Sequence, residues 1–295
     1  MKTNPSLYTI LLGLAAGVLT ASAQVTLTGT SYTETFDSIG SGLPPGWSVR
    51  TNATAISLGI PANFTATTTN WAASSGQFAN YASTISNSGT NFLGTEAPTN
   101  QAACTNRSLG VRQTGTFGDP GAAFVLRLEN TLGFAGFQLS LDCNMLNVQS
   151  RSTLWTIDYG IGSSPGAFTA LDTYADPGTF GATTRTVSFG AALDNLNQNV
   201  WIRIVATNGA TGSGSRDTFG IDNFRLSYHA YGSIAPIPLK IEPSGGNVVL
   251  TWSNSSFALQ AASTAAGTFT NVPGANSPHT NPITGPQKYF RLKAN

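Results

Sequence analysis

The chain has 295 residues, with 14 basic and 13 acidic side chains and a formal net charge of +1. Hydrophobic residues make up 40% and charged ones only 9%, so polarity rests on 39 Thr, 29 Ser and 23 Asn. A basic nucleic-acid binder, an acidic solvating protein and a long coiled coil are excluded. With 32 Gly and 15 Pro, the composition is that of many short strands joined by tight turns.

Residues 1–23 read as a cleavable secretory signal peptide. Lys2 gives the positive start, an apolar stretch follows through Ile10, Leu11, Leu12 and Leu14, and Ala21-Ser22-Ala23 forms the cleavage site before Gln24. A membrane anchor needs about 20 apolar residues, and this stretch is shorter. Without Lys2 the remaining chain has 13 basic and 13 acidic residues, a surface with no long-range pull on nucleic acid or anionic lipid. No later segment reaches spanning length, so the expected product is secreted or held at the cell surface.

From residue 24 onward the hydrophobic period is two. In the clearest strand, Phe137, Leu139, Leu141, Cys143 and Met145 alternate with Gln138, Ser140, Asp142 and Asn144, which marks one buried face. Further strands are expected at 34–36, 107–113, 124–129, 154–161, 183–189, 200–206 and 219–228. Turn signals such as Gly118-Asp-Pro-Gly121 and Asp176-Pro-Gly178 separate them. At most a single helical turn is expected, at 191–199. Regular short strands of this kind predict an all-β fold, an antiparallel jelly-roll sandwich over 24–230.

Residues 51–106 differ, being rich in Thr, Ser, Asn, Ala and Gly, with Glu96 their one acid. They read as an elaborated loop region with a few short strands, laid over the sandwich. Phe64, Trp71, Phe78, Tyr81 and Phe92 punctuate it. Rings among neutral donors and acceptors suit stacking on sugars, with Trp71, Tyr81 and Phe78 as the candidate ligand-binding residues. The competing reading is that these rings pin a long loop to the sandwich. Residues 231–238, with two prolines, read as a linker, and 239–295 as a small β module near the lower size limit for an independent core.

Catalytic chemistry is scarce. Histidine occurs only at His229 and His279, so residues 24–228 hold no histidine base. Glu34 and Asp37 are closely spaced, but i and i+3 on a strand point to opposite faces, and Asp142 and Asp158 are expected on solvated faces. Cys104 and Cys143 are either a disulfide, which export permits, or two free thiols. Two Cys and two distant His do not have zinc-finger spacing.

Glu34-Thr-Phe-Asp37, Leu43-Pro-Pro-Gly-Trp47 and the distant Phe219-Gly-Ile-Asp-Asn-Phe-Arg-Leu226 resemble the opening and closing motifs of extracellular jelly-roll domains of bacterial surface proteins. Arg107-Ser-Leu-Gly110 and the strand Ala123–Asn130 are similar to a variant of the same domain. The tail, with Val249-Leu-Thr-Trp252 and Tyr289-Phe-Arg-Leu292, resembles the fibronectin type III-like modules of secreted proteins of Verrucomicrobia-type bacteria. The first resemblance implies that the first and last strands lie side by side. That would gather Glu34, Asp37, Asp222 and Asn223 into an oxygen-rich site for a structural calcium ion, the alternative being pairing with Arg225 or Arg216. Together these features predict a secreted, non-enzymatic protein binding an extracellular polysaccharide or cell-envelope component. The alternatives are a purely structural surface component and a polysaccharide-degrading enzyme.

Overall fold

A computed structural model describes residues 24–232 and 237–294; the expected signal peptide at 1–23 and residues 233–236 of the expected linker lie outside the described residues. The chain divides into two compact units, Met1–Tyr228 and His229–Asn295.

The strands of the larger unit are, in chain order, β1 (Ser31–Glu34), β2 (Trp47–Thr51), β3 (Ile60–Pro61), β4 (Phe64–Thr69), β5 (Gln77–Ala82), β6 (Arg107–Arg112), β7 (Ala123–Leu128), β8 (Phe134–Asn147), β9 (Arg151–Ser152), β10 (Leu154–Ile161), β11 (Thr169–Ala175), β12 (Gly181–Ser188), β13 (Val200–Val205), β14 (Thr211–Gly212) and β15 (Thr218–Ala230). Among the described residues a short 3-10 turn (Ile39–Ser41) and one α-helix, α1 (Pro98–Ala103), interrupt them. They form an antiparallel jelly-roll sandwich. The larger sheet runs β12-β8-β15-β6-β5-β4 with β1 also on β15; the smaller runs β11-β10-β13-β7-β2-β3. Of the strand pairs described, β4 and β5 run parallel.

Alternation builds the core. Phe137, Leu139, Leu141, Cys143 and Met145 of β8 meet Phe124, Leu126 and Leu128 of β7 and Ile202 and Ile204 of β13 in one buried cluster. Gln138 stays exposed. Beyond Asp142 the outer positions of β8 are buried as well, because segment 70–104 lies over the sheet there. Leu146 packs with Trp71, Ala79, Tyr81, Ala82 and Cys104 in a second cluster. The two cysteines are therefore free and buried, Cys143 between the sheets and Cys104 in that second cluster.

The smaller sheet is also covered. Asp158, expected on a solvated face, is only 3% exposed. Its carboxylate accepts two bonds from Arg203, from Nε at 2.8 Å and Nη2 at 2.7 Å. Arg203 donates further to the carbonyls of Ser57 and Thr54, and the Phe168 ring lies 3.3 Å from its guanidinium carbon. The loop at 53–58 thus closes over this face and turns an outward strand position into an interior one. Within 191–199, where a helical turn was expected, residues 191–195 form hydrogen-bonded turns and 197–198 a bend.

The smaller unit contains β16 (Lys240–Ser244), β17 (Asn247–Thr251), β18 (Phe257–Ala262), β19 (Thr270–Asn271), β20 (His279–Pro282) and β21 (Tyr289–Ala294). They form two three-stranded sheets, β16-β17-β20 and β19-β18-β21, around Leu250, Trp252, Phe257 and Leu259. Among the described residues no helix is long and apolar enough to cross a membrane.

Candidate functional site

The three rings expected to meet a sugar are interior. Trp71 is 1% exposed, Tyr81 and Phe78 0%. Phe78 points between the sheets and packs edge-on against Phe124 and Phe117. Tyr81 on β5 faces outward from the larger sheet, and Trp71, in the turn after β4, packs in the same outer cluster with Leu146, Cys104 and Phe92. The Trp71 indole N–H donates to the Ala82 carbonyl at 2.9 Å, and its ring is flanked by Phe92 and Phe180. Burial pushes the Tyr81 hydroxyl well above its ordinary pKa. These rings are corrected from ligand platform to loop anchors. An aromatic side chain buries roughly 150–250 Å², and a polar segment of this length has little else to hold it down.

Residues that escaped the sequence reading complete the anchoring. Arg107 is 3% exposed and acts as a clamp. Its Nε donates to Asn80 Oδ1 at 2.6 Å, Nη2 to the Asn80 carbonyl, and Nη1 to the carbonyls of Gln101 and Cys104 at the end of α1. Gln101 in turn accepts the Trp71 backbone N–H. The signal was present in Arg107-Ser-Leu-Gly110: Arg107 holds the loop, Leu109 enters the core, and Gly110 leaves room for the Tyr81 ring.

The four residues expected around calcium are only partly assembled. β1 does run antiparallel to β15, with Glu34 opposite Phe224. Yet each of the three carboxylates has its own protein donor. Glu34 Oε1 accepts the Phe36 N–H, and Asp37 Oδ1 the Arg107 N–H. Asp222 accepts from Ser83 Oγ at 2.7 Å and from the Asn223 N–H. Asn223 turns its amide nitrogen to Asp142. Among the described residues no group of three or more His, Cys, Asp or Glu side chains is placed to hold a metal. Asp222 is instead the buried end of a polar network: Asn144 Nδ2 reaches Ser83 Oγ and Ser108 Oγ, and Ser108 Oγ donates to the Ile221 carbonyl. Burial, reinforced by the nearby Asp37 and Asp142, pushes its carboxyl up to about 7 against the pull of Ser83 and Asn223.

The outward side of the anchored segment carries an open cavity of about 460 Å³, lined by Ser86, Asn87, Asn91, Phe92, Glu96 and Asn100 among others. Ser86 Oγ lies 2.8 Å from Thr90 Oγ1 and 2.9 Å from Ser88 Oγ. Asn100 Nδ2 donates to Glu96 Oε1 at 2.6 Å, and Asn87 Oδ1 accepts from Thr105. Phe92 is half-buried, with its ring against Trp71. The wall is thus one ring edge, one carboxylate and several neutral hydroxyl and amide groups, each with donor or acceptor capacity beyond its internal bond.

No family model matches the chain, and no curated protein matches it. Solved structures similar to it include the K1 cleaved adhesin domain of Lys-gingipain from Porphyromonas gingivalis W83, at 14% identity and TM-score 0.38, covering 69% of this chain and 100% of that one. The C-terminal family 22 carbohydrate-binding module of Clostridium thermocellum Xyn10B is similar at 12% identity and TM-score 0.37, covering 70% and 98%. A Stig cyclase, Fisc, from Fischerella sp. TAU reaches 17% and 0.38, covering 70% and 91%. Likenesses this distant, to proteins of such different activities, carry neither ligand nor activity to this chain.

Proposed function

We propose that this chain is an exported, non-catalytic protein that binds an extracellular polysaccharide or cell-envelope glycan. In this reading residues 24–230 are the binding domain, and residues 239–295 are a fibronectin type III-like spacer. The observation that carries the proposal is the 86–100 cavity: neutral hydroxyls and amides around a partly exposed ring meet the needs of a sugar, which presents hydroxyls at its rim and C–H groups on its faces. The non-catalytic part is supported by where the perturbed acids lie. The two carboxyls pushed up to about 7, Asp222 and Asp217, are 0% and 2% exposed and so do not reach a substrate, while the half-buried Glu34, raised chiefly by burial, is held by the Phe36 N–H.

The test is retention of the chain beginning at Gln24 on a panel of insoluble polysaccharides and on bacterial cell envelopes. Retention on at least one polysaccharide, lost in Asn100→Ala and in Phe92→Ala with the fold intact, is the expected result. Self-association with no polysaccharide retained would favour a purely structural surface component, and release of reducing ends would favour an enzyme.

A further inference from the structure

Nine arginines, no lysine and twelve acids fall between residues 24 and 228. Six of the nine arginines have a carboxylate at hand, and a seventh, Arg225, is exposed to solvent. Arg151, Arg185, Arg203 and Arg216 are ion-paired, while Arg107 and Arg112 sit near Asp37 and Asp217. Arg50 on β2 and Arg127 on β7 break the pattern. Neither makes an ion pair among the described residues, and the charged neighbour that Arg50 feels is Arg127, which together with burial depresses it.

Both guanidinium groups lie over one indole, that of Trp201 on β13, at 5.6 and 4.9 Å from the ring centroid. Arg127 stands directly opposite Trp201 in the β7–β13 ladder. Arg50 Nη1 donates to the Gly59 carbonyl at 3.1 Å and Arg127 Nη2 to Asn199 Oδ1 at 2.8 Å. The Nε of each is buried with no acceptor. Two like charges gathered over one ring with no carboxylate between them cost free energy unless an anion supplies the countercharge at their outer nitrogens. Asn199 also lines an open cavity of about 640 Å³ with Gln24, Asn130, Ser163 and Gln198, a wall of amides and a hydroxyl. One carboxylate, Glu129, also lines this cavity, and the Thr26 hydroxyl donates to it at 2.6 Å.

We propose that the Arg50–Arg127 pair and the amide-lined cavity beside it form a second binding site, which takes an acid-bearing saccharide and holds its carboxylate or sulfate groups on the two arginines. Guanidinium offers planar paired donors to either anion, and the amides meet the hydroxyls of the same sugar. The site lies on the smaller sheet and does not depend on the 86–100 cavity.

Calorimetric titration of the chain beginning at Gln24 tests it, with an oligogalacturonate, a sulfated oligosaccharide and a neutral oligosaccharide of matched length, in physiological salt. The expected result is saturable binding of at least one anionic oligomer. Binding weakens roughly tenfold or more in Arg50→Gln and in Arg127→Gln, as for loss of a charge-assisted contact, and is unchanged in the exposed control Arg225→Gln. Which oligomer binds separates a uronate from a sulfate ester. Should Arg127→Gln fail to fold, Arg127→Lys keeps the charge without the planar fork and is expected to lose affinity while melting normally. Equal binding of neutral and anionic oligomers, or equal loss in Arg225→Gln, overturns the proposal. Retention on a neutral polysaccharide that depends on Phe92 would in that case leave the first cavity standing.

Discussion

At Gly110 a missing side chain decides the geometry of the covered sheet face. A Cβ there would lie 2.6 Å from Tyr81 Cδ2 and 3.0 Å from the Phe219 carbonyl oxygen, with no open space to take up the strain. Gly110→Ala is therefore expected to destabilise by about 1–3 kcal/mol, the usual cost of overpacking, read as a lower denaturant midpoint. Asp222 gives a residue-scale test in pH. Its carboxyl rises from 3.8 to about 7 on folding, so the folded chain holds a proton that the unfolded chain releases. Between about pH 4 and 7 the folded state binds more protons, and stability falls as pH rises through that window. Asp222→Asn keeps an acceptor for Ser83 and removes that slope. Its melting temperature should gain on the parent's from about pH 4 to pH 7 and hold level above that. A gap independent of pH would mean that Asp222 does not titrate in this range.

At the scale of the element, β8 was legible because one of its faces meets a core and the other, over its first half, meets water. Leu141 is 0% exposed and its alternate Gln138 is exposed. Leu141→Asp should thus cost several kcal/mol by burying an unpaired carboxylate, and Gln138→Asp close to nothing. Chemical denaturation of the two variants separates them, and similar costs would mean that both faces are buried there. β4 and β11 were not legible. Each is an end strand of its sheet, rich in Thr or mostly exposed, so no alternation is imposed on it. Nor does strand period reveal that a loop will cover an outer face. Asp158 has the spacing of a solvated residue, and only the 53–58 loop and Arg203, distant in sequence, make it interior. Asp158→Asn would leave the Arg203 guanidinium buried without its counter-ion. A loss of about 3–5 kcal/mol is expected, and a loss under 1 kcal/mol would show that water reaches the pair. The same limit explains the rings. The compositional shift at 51–106 marked the segment that forms the candidate cavity, but which way Trp71, Phe78 and Tyr81 point depends on Phe180, Phe124 and other partners far along the chain.

For the molecule as a whole, the contrast between the two units sets how the chain should come apart. The larger has cores on three levels, between the sheets and beneath the coverings of both outer faces. The smaller closes only Leu250, Trp252, Phe257 and Leu259, with partly buried neighbours such as Val248 and Leu292, around two three-stranded sheets. A unit of that size buries a small share of its unfolded surface and is marginal by itself, whereas the larger unit is well above that limit. β15 ends at Ala230, β16 begins at Lys240, and Tyr231 between them is 56% exposed. Its backbone is the natural place for a protease to enter, since cleavage follows exposed segments without ladder hydrogen bonds. Brief digestion with a protease that cuts after aromatic residues should release a stable fragment ending at Tyr231, with the smaller unit degraded faster. In a thermal scan the intact chain should show a lower transition that disappears after digestion and an upper one that survives it. A first cut inside 107–228, or loss of the upper transition together with the lower, would mean that the sandwich does not stand without the tail.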